Sequence, residues 1–249
     1  MRKHLSVLAL WSRLTLGRVL GVLAVMAAAQ AALFRLALAG NGDGGVYSSF
    51  EQLLERSGAG WAAIAAFLLV MGLLTLSGCE LRGSRLDCTL RRLSIREETA
   101  VLWQAVSNAV CLLLFWAVET TVLLGLCLWY TRAAPGFITE QSVFLACYRV
   151  NTLHSLLPLE DWALYLRNIV FLAVLALDAA CAGLHQRRGG FAASPVILAL
   201  LAVWFVPNRF IFASGLEVGL AMAGVGLIPL AIDLAYLRIG REEEAADEA

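Results

Sequence analysis

The sequence predicts an all-α, polytopic membrane protein with six transmembrane helices. The chain is 60% hydrophobic and only 15% charged, and its mean hydropathy is +0.77, outside the range of ordinary soluble domains. The apolar residues concentrate in six stretches: 16–39, 60–78, 109–130, 162–184, 192–206 and 210–237. Most of these reach the ~20 residues that a helix needs to cross a ~30 Å hydrocarbon core. Because backbone groups in lipid must bond within their own segment, the stretches are expected to be helices.

The distribution of basic residues predicts that both termini are cytoplasmic. The basic residues form four clusters, which lie before the first stretch, after the second, after the fourth and after the sixth. The clusters are Arg2, Lys3, Arg13 and Arg18; Arg82, Arg85, Arg91, Arg92 and Arg96; Arg187 and Arg188; and Arg238 and Arg241. Such clusters tend to stay in the cytoplasm. The orientation places Cys88 inside the cell and Cys147 outside. Pro207-Asn208 predicts a turn between the last two spans, since one kinked helix would leave five spans and an external C-terminus.

The two ends of the chain carry distinct features. Residues 1–39 resemble a signal peptide in their basic start and apolar run. The run is longer than the apolar region of a signal peptide, which favours an uncleaved first helix. Residues 3–14 are expected to form a helix that lies in the membrane interface. Residues 1–238 therefore form the transmembrane domain, and 239–249 form an acidic cytoplasmic tail. The absence of an N-x-[ST] sequon is compatible with a bacterial inner membrane.

The residue inventory argues against an enzyme. Lys3 is the only lysine, so the chain has no P-loop. No H-E-x-x-H pattern occurs, and the Arg that would complete an E-E-x-x-x-R protease signature is replaced by Leu102. The six cysteines include no C-x-x-C pair, which disfavours a metal site or a disulfide framework. We therefore predict no catalytic residue, no cofactor and no metal, and the zero net charge gives no reason to expect a nucleic acid partner.

Four polar side chains within the spans are candidates for function. Asn108 and Glu119 are eleven residues apart, so they lie ~20° apart on one face of the third span, which should face protein or water. Arg167 and Asp178 have the same spacing on the fourth span. Polar groups at this depth line a substrate path or hold helices together. Both interpretations stay open. If these groups hold helices together, Glu119 would either form an ion pair with Arg167 or be protonated and hydrogen-bonded.

The long segment 131–161 between the third and fourth spans is predicted to lie outside the cell. Apolar residues recur there at helical spacing, with Phe144, Leu145 and Leu153 set against polar Arg149 and Ser155. This pattern predicts an amphipathic helix on the outer leaflet. Such a helix would gate an exit, contact a partner, or only cover the bundle.

The cytoplasmic loop 80–98 carries a second amphipathic pattern. Residues 89–93 form a short basic amphipathic turn, and Ser94 with Glu97 three residues later makes a capping box for a new helix. That helix should continue unbroken into the third span. A rigid helix of this kind would transmit force from a soluble partner, whereas the simpler interpretation is a solvated basic loop.

This loop resembles the one between the second and third helices of type-2 ABC transporter permeases. The matching residues are Thr89-Leu90 and Leu93-Ser94-Ile95-Arg96-Glu97, in the family's order and spacing. Ser94 stands where the family has Pro, and Gln104 stands where it has Lys. The motif covers about a tenth of the chain, and the six spans with cytoplasmic termini extend the similarity.

The resemblance implies a function, partners and a site. The loop would be the coupling helix that docks on a separate ABC ATPase subunit, with an apolar edge of Leu90, Leu93 and Ile95 and with charge contacts from Arg91 and Arg92. The chain would be the permease subunit of an ATP-driven exporter in the cell membrane, working as a homo- or heterodimer. The alternative is a non-transporting scaffold or accessory subunit of a membrane complex.

Overall fold

The computed structural model describes residues 2–40, 49–77, 97–133, 141–159, 162–187 and 193–205, together with positions 228, 231 and 235. Regular structure in these ranges is helical: α1 (Arg2–Gly40), α2 (Phe50–Ser57), α3 (Ala59–Thr75), α4 (Glu97–Ala133), α5 (Gln141–Arg149), α6 (Asn151–Leu156), α7 (Trp162–Arg187) and α8 (Ser194–Phe205). The predicted all-α class therefore holds for the described part of the chain.

Three helices are long and apolar enough to cross a membrane. The crossing segments are Thr15–Gly40 of α1, Thr99–Ala133 of α4 and Leu164–Gln186 of α7, which confirms helices at the first, third and fourth predicted spans. The segment in α4 has 35 residues and is therefore about 52 Å long. Because this exceeds the ~30 Å hydrocarbon core, α4 must tilt strongly or extend beyond the core.

The predicted second span differs from a single straight helix. Helix α3 has 17 residues. It is long enough to be a candidate membrane span only together with α2, and the two helices are bent by 55° relative to each other. The bend falls at Gly58, whose left-handed backbone (φ 69°) ends α2 and precedes α3. Glycine tolerates this conformation because it has no Cβ. At the other end of α2, the Ser49 hydroxyl accepts a hydrogen bond from the Gln52 amide at 3.4 Å, which caps the helix.

The fifth and sixth predicted spans are described only in part. Helix α8 begins with Ser194-Pro195, where proline suits the first turn, and its 12 residues are too few to span a bilayer alone. The region 206–227, which includes the predicted turn, lies outside the described residues, as do most of 228–249 and the loop 78–96. The total of six spans and the cytoplasmic termini stay predictions.

The bundle is held by two main apolar clusters toward opposite ends, and Val101, Ala180 and Cys181 form a third, smaller cluster between α4 and α7. Helix α4 packs most extensively against α7, and α1 packs against both α3 and α4. One cluster, here called the Ser77-end cluster, joins α1, α3, α4, α7 and α8 through residues such as Leu23, Val70 and Leu198. The other, the Phe50-end cluster, joins α1, α2, α4, α5 and α6 around Phe34 and Leu153. The level between the two clusters holds the polar site described below.

The segment 131–161 is not one helix on the leaflet surface. Its described part forms α5 and α6, separated at Val150, whose extended backbone (φ −76°, ψ 110°) interrupts the helix. Leu153 is fully buried in the Phe50-end cluster, while Phe144 and Leu145 are 58% and 49% exposed. The prediction of a single surface helix was wrong because α6 packs into the end of the bundle and only α5 presents an apolar outer face.

Candidate functional site

A buried hydrogen bond joins the middle of α1 to the middle of α4. Gln30 Nε2 lies 3.0 Å from each carboxylate oxygen of Glu119 and donates to them. The same nitrogen lies 3.4 Å from the backbone oxygen of Ala59, directly after the bend between α2 and α3. Gln30 is fully buried and Glu119 is 5% exposed. One amide therefore ties together α1, α4 and the start of α3.

The sequence places this pair between the two apolar clusters. On α1, Gln30 lies one helical turn from Met26 and from Phe34, which belong to different clusters. On α4, Glu119 similarly lies between Leu112 and Leu123. Both side chains face the bundle because they share the buried faces of their helices. The stripe from Asn108 to Glu119 was predicted to face protein or water, and the burial of both residues shows that it faces protein.

A cleft of about 650 Å³ reaches Glu119 between α3, α4, α7 and α8. Its walls are mainly apolar and aromatic: Ile64, Phe67, Leu112, Phe115, Trp116, Phe171, Leu172, Leu175 and Val203. The Phe67 and Phe115 rings are tilted against each other with centroids 5.6 Å apart. Charged side chains also line it, namely Glu51 and Glu55 of α2, Arg149 of α5 and Arg167 of α7. This volume is typical of a small-molecule site.

Arg167 is bound to α6 and to its own helix, not to Glu119. Its Nη2 atom donates to Ser155 Oγ at 2.7 Å and to Asn168 Oδ1 at 2.8 Å, and Asn168 Nδ2 donates to the Ser155 carbonyl at 2.7 Å. Trp116 Nε1 donates to the Leu156 carbonyl at 2.9 Å. These bonds hold α6 against α4 and α7. The pair between Glu119 and Arg167 considered above does not form.

Asn108 sets the register between the antiparallel helices α4 and α7. Its Nδ2 atom donates to the Ala176 carbonyl at 3.2 Å. Counted from that contact, Glu119 lies eleven residues further along α4, and Arg167 lies nine residues earlier on the antiparallel α7. The two residues therefore lie at the same height along the bundle axis to within about 3 Å. Asp178, two residues beyond Ala176, is fully buried. Asn108 thus connects helices in this structure, while a role in a path remains a prediction for all four residues.

A tight crossing of α7 over α3 and α4 marks the other end of the bundle. A Cβ atom added to Gly183 would lie 3.1 Å from Gln104 Nε2 and 3.2 Å from the Thr75 carbonyl oxygen. Gln104, which is fully buried, donates to Ser77 Oγ at 3.3 Å. The absence of a side chain at Gly183 allows this close approach. Gln104, which stands at the Lys position of the permease motif that the loop resembles, is therefore part of a helix junction.

The predicted coupling residues Leu90, Arg91, Arg92, Leu93 and Ile95 lie outside the described residues. The prediction that the helix after the loop enters the third span unbroken is confirmed, because α4 runs continuously from Glu97 to Ala133. One rigid helix therefore connects the end of this loop to Glu119.

Two features of the site were not predicted from the sequence. Gln30 is the only strongly polar side chain in the apolar run from 19 to 34, and a lone amide at that depth is the signal that would have found it. The second is helix α2. Its signals in the sequence are the capping pattern of Ser49 and Gln52 and the spacing of Phe50, Leu53, Leu54 and Ser57 on one buried helix face.

Helices of this length, hydropathy and packing indicate a multi-pass membrane protein. Within the part of the chain that the structure describes, no group of His, Cys, Asp and Glu side chains has the arrangement of a metal site. Comparisons of the chain with known family models, curated proteins and solved structures give no match.

Proposed function

We propose that the chain is the membrane-spanning permease subunit of an ATP-driven ABC exporter, coupled to a separate ATPase subunit and working as a dimer in the cell membrane. The observation that carries the proposal is the cleft that reaches a buried carboxylate between the transmembrane helices. A carboxylate at this depth is costly to maintain and by default marks a pathway or a specific pair. Glu119 has only a neutral amide donor among the described residues, which favours the pathway.

The course of α4 supports mechanical coupling. It begins at Glu97, next to the proposed coupling segment, and carries Glu119 on the same continuous helix. Glu119 lies 22 residues from Glu97, about 33 Å along the axis. A displacement of the loop by an ATPase would therefore move the carboxylate and one wall of the cleft together. The partner supplies the energy of ATP, and this chain supplies the path.

The polar contacts around the cleft define which parts can move together. Trp116 and Asn168 bind α6 to α4 and α7, and Gln30 binds α1 to α4 and to the bend before α3. The bend itself occurs at a left-handed glycine. A movement of α4 is therefore transmitted to α2, α3 and α6, which surround the cleft at the Phe50 end.

The proposal is tested by purifying the tagged full-length chain from membranes of its source organism in a mild detergent. After reconstitution into liposomes, vanadate-sensitive ATP hydrolysis by the copurified complex is measured. Leu93→Asp and Ile95→Asp should remove the ATPase from the preparation, since each buries an unpaired carboxylate in an apolar contact at a cost of about 2 kcal/mol or more. Ser84→Asp, in the same loop but outside the motif, is the matched control and should retain it.

ATP hydrolysis that copurifies equally with Leu93→Asp, Ile95→Asp and the control would contradict the coupling assignment. A preparation that assembles with other membrane proteins but carries no ATPase would favour the scaffold alternative. Because the substituted residues are predicted to lie outside the bilayer, the level of inserted chain serves as the check that each variant folds.

A further inference from the structure

The size and walls of the cleft fit an amphiphilic small molecule. Its ~650 Å³ lies within the ~300–1,000 Å³ of typical ligand sites. Phe67, Phe115 and Trp116 present aromatic rings to it. Aromatic faces attract cations as well as apolar groups because of their negative quadrupole.

Some buried acceptor atoms in and behind the cleft have no hydrogen-bond donor among the described residues. Both oxygens of Glu119 accept from one nitrogen, Gln30 Nε2. Gln30 Oε1, on the same amide, is buried and has no hydrogen-bond partner, and neither has the buried Oε1 atom of Glu51 at the α2 side of the cleft. Buried acceptors without donors are unfavourable. A ligand that brings N–H groups into the cleft would supply donors to Glu51 and Glu119, which line it.

The charges of the lining also favour a cation. Among the described residues of the lining, three carboxyl groups, those of Glu51, Glu55 and Glu119, accompany two guanidinium groups, those of Arg149 and Arg167. Arg167 donates to Ser155 and to Asn168. Glu119 is the member that is nearly fully buried, and a cation beside it would favour its ionised form.

From these observations we infer that the cleft binds amphiphilic organic amines in their protonated form. The ammonium group donates to Glu119, and the apolar body lies along α3, α4 and α7. Each carboxylate oxygen accepts more than one hydrogen bond, so the ammonium adds to the bond from Gln30, which orients the carboxylate. This inference rests on the proposed function in that it names the class of substrate for the same path.

The test compares three ligands that share a dansyl body and differ in the terminal group. They are dansylcadaverine, which ends in an ammonium group, its neutral N-acetyl derivative, and 6-(dansylamino)hexanoic acid, which ends in a carboxylate. The full-length chain is placed in nanodiscs, and binding is followed by energy transfer from tryptophan to dansyl, with empty nanodiscs subtracted. We expect the amine to bind at least about tenfold more tightly than the N-acetyl compound, as befits one charge-assisted hydrogen bond. The carboxylate should bind most weakly.

Glu119→Gln should remove the preference for the amine over the N-acetyl compound, because it removes the charge and keeps the shape. Glu244→Gln, in the predicted acidic tail, is the charge-matched control and should retain it. Equal affinities of the amine and its N-acetyl derivative for the unmodified chain would overturn the inference without reliance on any variant. A preference that persists in Glu119→Gln, or tightest binding of the carboxylate, would also overturn it.

Binding is measured without ATP or ATPase, so the two proposals fail separately. If the ATPase copurifies and the amine preference is absent, the substrate class is wrong and the permease proposal stands. If the amine binds through Glu119 and no ATPase associates, the binding site stands and the permease proposal is wrong.

Discussion

Gln30 Nε2 donates to both carboxylate oxygens of Glu119 at 3.0 Å, across 89 positions of sequence. The bond connects α1 to α4 at the level between the two apolar clusters. It supplies the buried carboxyl group with an uncharged donor. The bond therefore fixes the orientation of the Glu119 carboxyl group relative to α1.

Gln30→Leu is expected to destabilise the bundle. It removes the donor and leaves Glu119 buried with unsatisfied oxygens, which costs about 1–3 kcal/mol. The thermal midpoint in detergent should fall, and adding Glu119→Leu should recover part of the loss because both polar partners are then gone. Gln52→Leu, on the exposed side of α2, is the control. A Gln30→Leu variant as stable as the unmodified chain would show that the bond contributes nothing.

Neutral isosteres separate a path from a purely structural role. If Glu119 and Asp178 line a path, Glu119→Gln and Asp178→Asn should change substrate-stimulated ATP hydrolysis of the reconstituted complex while assembly persists. The change follows from the lost charge, since each isostere preserves shape. Normal activity in both assembled variants would mean that these carboxyl groups are only tolerated, and loss of assembly alone would assign them to helix packing.

Gly183→Ala should weaken the crossing of α7 over α3 and α4. The added methyl would meet Gln104 Nε2 at 3.1 Å and the Thr75 carbonyl oxygen at 3.2 Å. A side-chain end moves easily but a backbone carbonyl does not, so overpacking should cost about 1–3 kcal/mol. The matched control is Gly125→Ala on α4, where an added Cβ has no atom within 4 Å. Equal melting temperatures for the two variants would contradict this account.

Cys147 is expected to react slowly with a membrane-impermeant maleimide, although the predicted topology places it outside. It is 5% exposed, and burial raises the pKa of its thiol, partly offset by a backbone hydrogen bond. Since the thiolate is the reactive form, a raised pKa leaves less of it at pH 7, and labelling should accelerate as the pH rises. Fast labelling of Cys147 at neutral pH would contradict the burial of its thiol.

The topology is better tested at Phe144, which is 58% exposed on the same helix. In a background without other cysteines, Phe144→Cys should label from outside intact cells within the time in which Cys147 hardly reacts. Cys88, as the single cysteine, should label only after the cells are opened. The opposite pattern would reverse the orientation and remove the basis for the coupling assignment.

Reversal of charge at Arg91 and Arg92 should weaken binding of the ATPase less than Leu93→Asp does. Charge contacts at a rim contribute less than an apolar anchor that excludes water. The loss should be larger at low salt than at high salt, because the Debye length falls from ~30 Å at 0.01 M to ~10 Å at 0.1 M ionic strength. Retention of the ATPase on an affinity column at the two salt concentrations measures this, and a loss independent of salt would contradict it.

The sequence predicted helix positions better than helix ends. Apolar runs located α1, α4 and α7 because a membrane-spanning helix needs only local hydropathy and length. The same reasoning missed α2 and joined α5 to α6, since short helices depend on caps and on the surfaces against which they pack. It found Glu119 and Asn108 as members of one buried face of α4. It did not find Gln30, which becomes part of the site only when α1 lies beside α4.

By itself, the sequence determined the all-helical membrane class, three of the spanning helices and the inward face of α4. These properties follow from composition and from the 3.6-residue period, which act within one segment. The tertiary structure alone decided that Glu119 is bound by Gln30 and not by Arg167, that α6 is held by Trp116 and Asn168 against the bundle, and that a cleft opens beside the carboxylate. The physical reason is that hydrogen bonds between helices depend on their relative depth and rotation, which packing of side chains from several helices sets together.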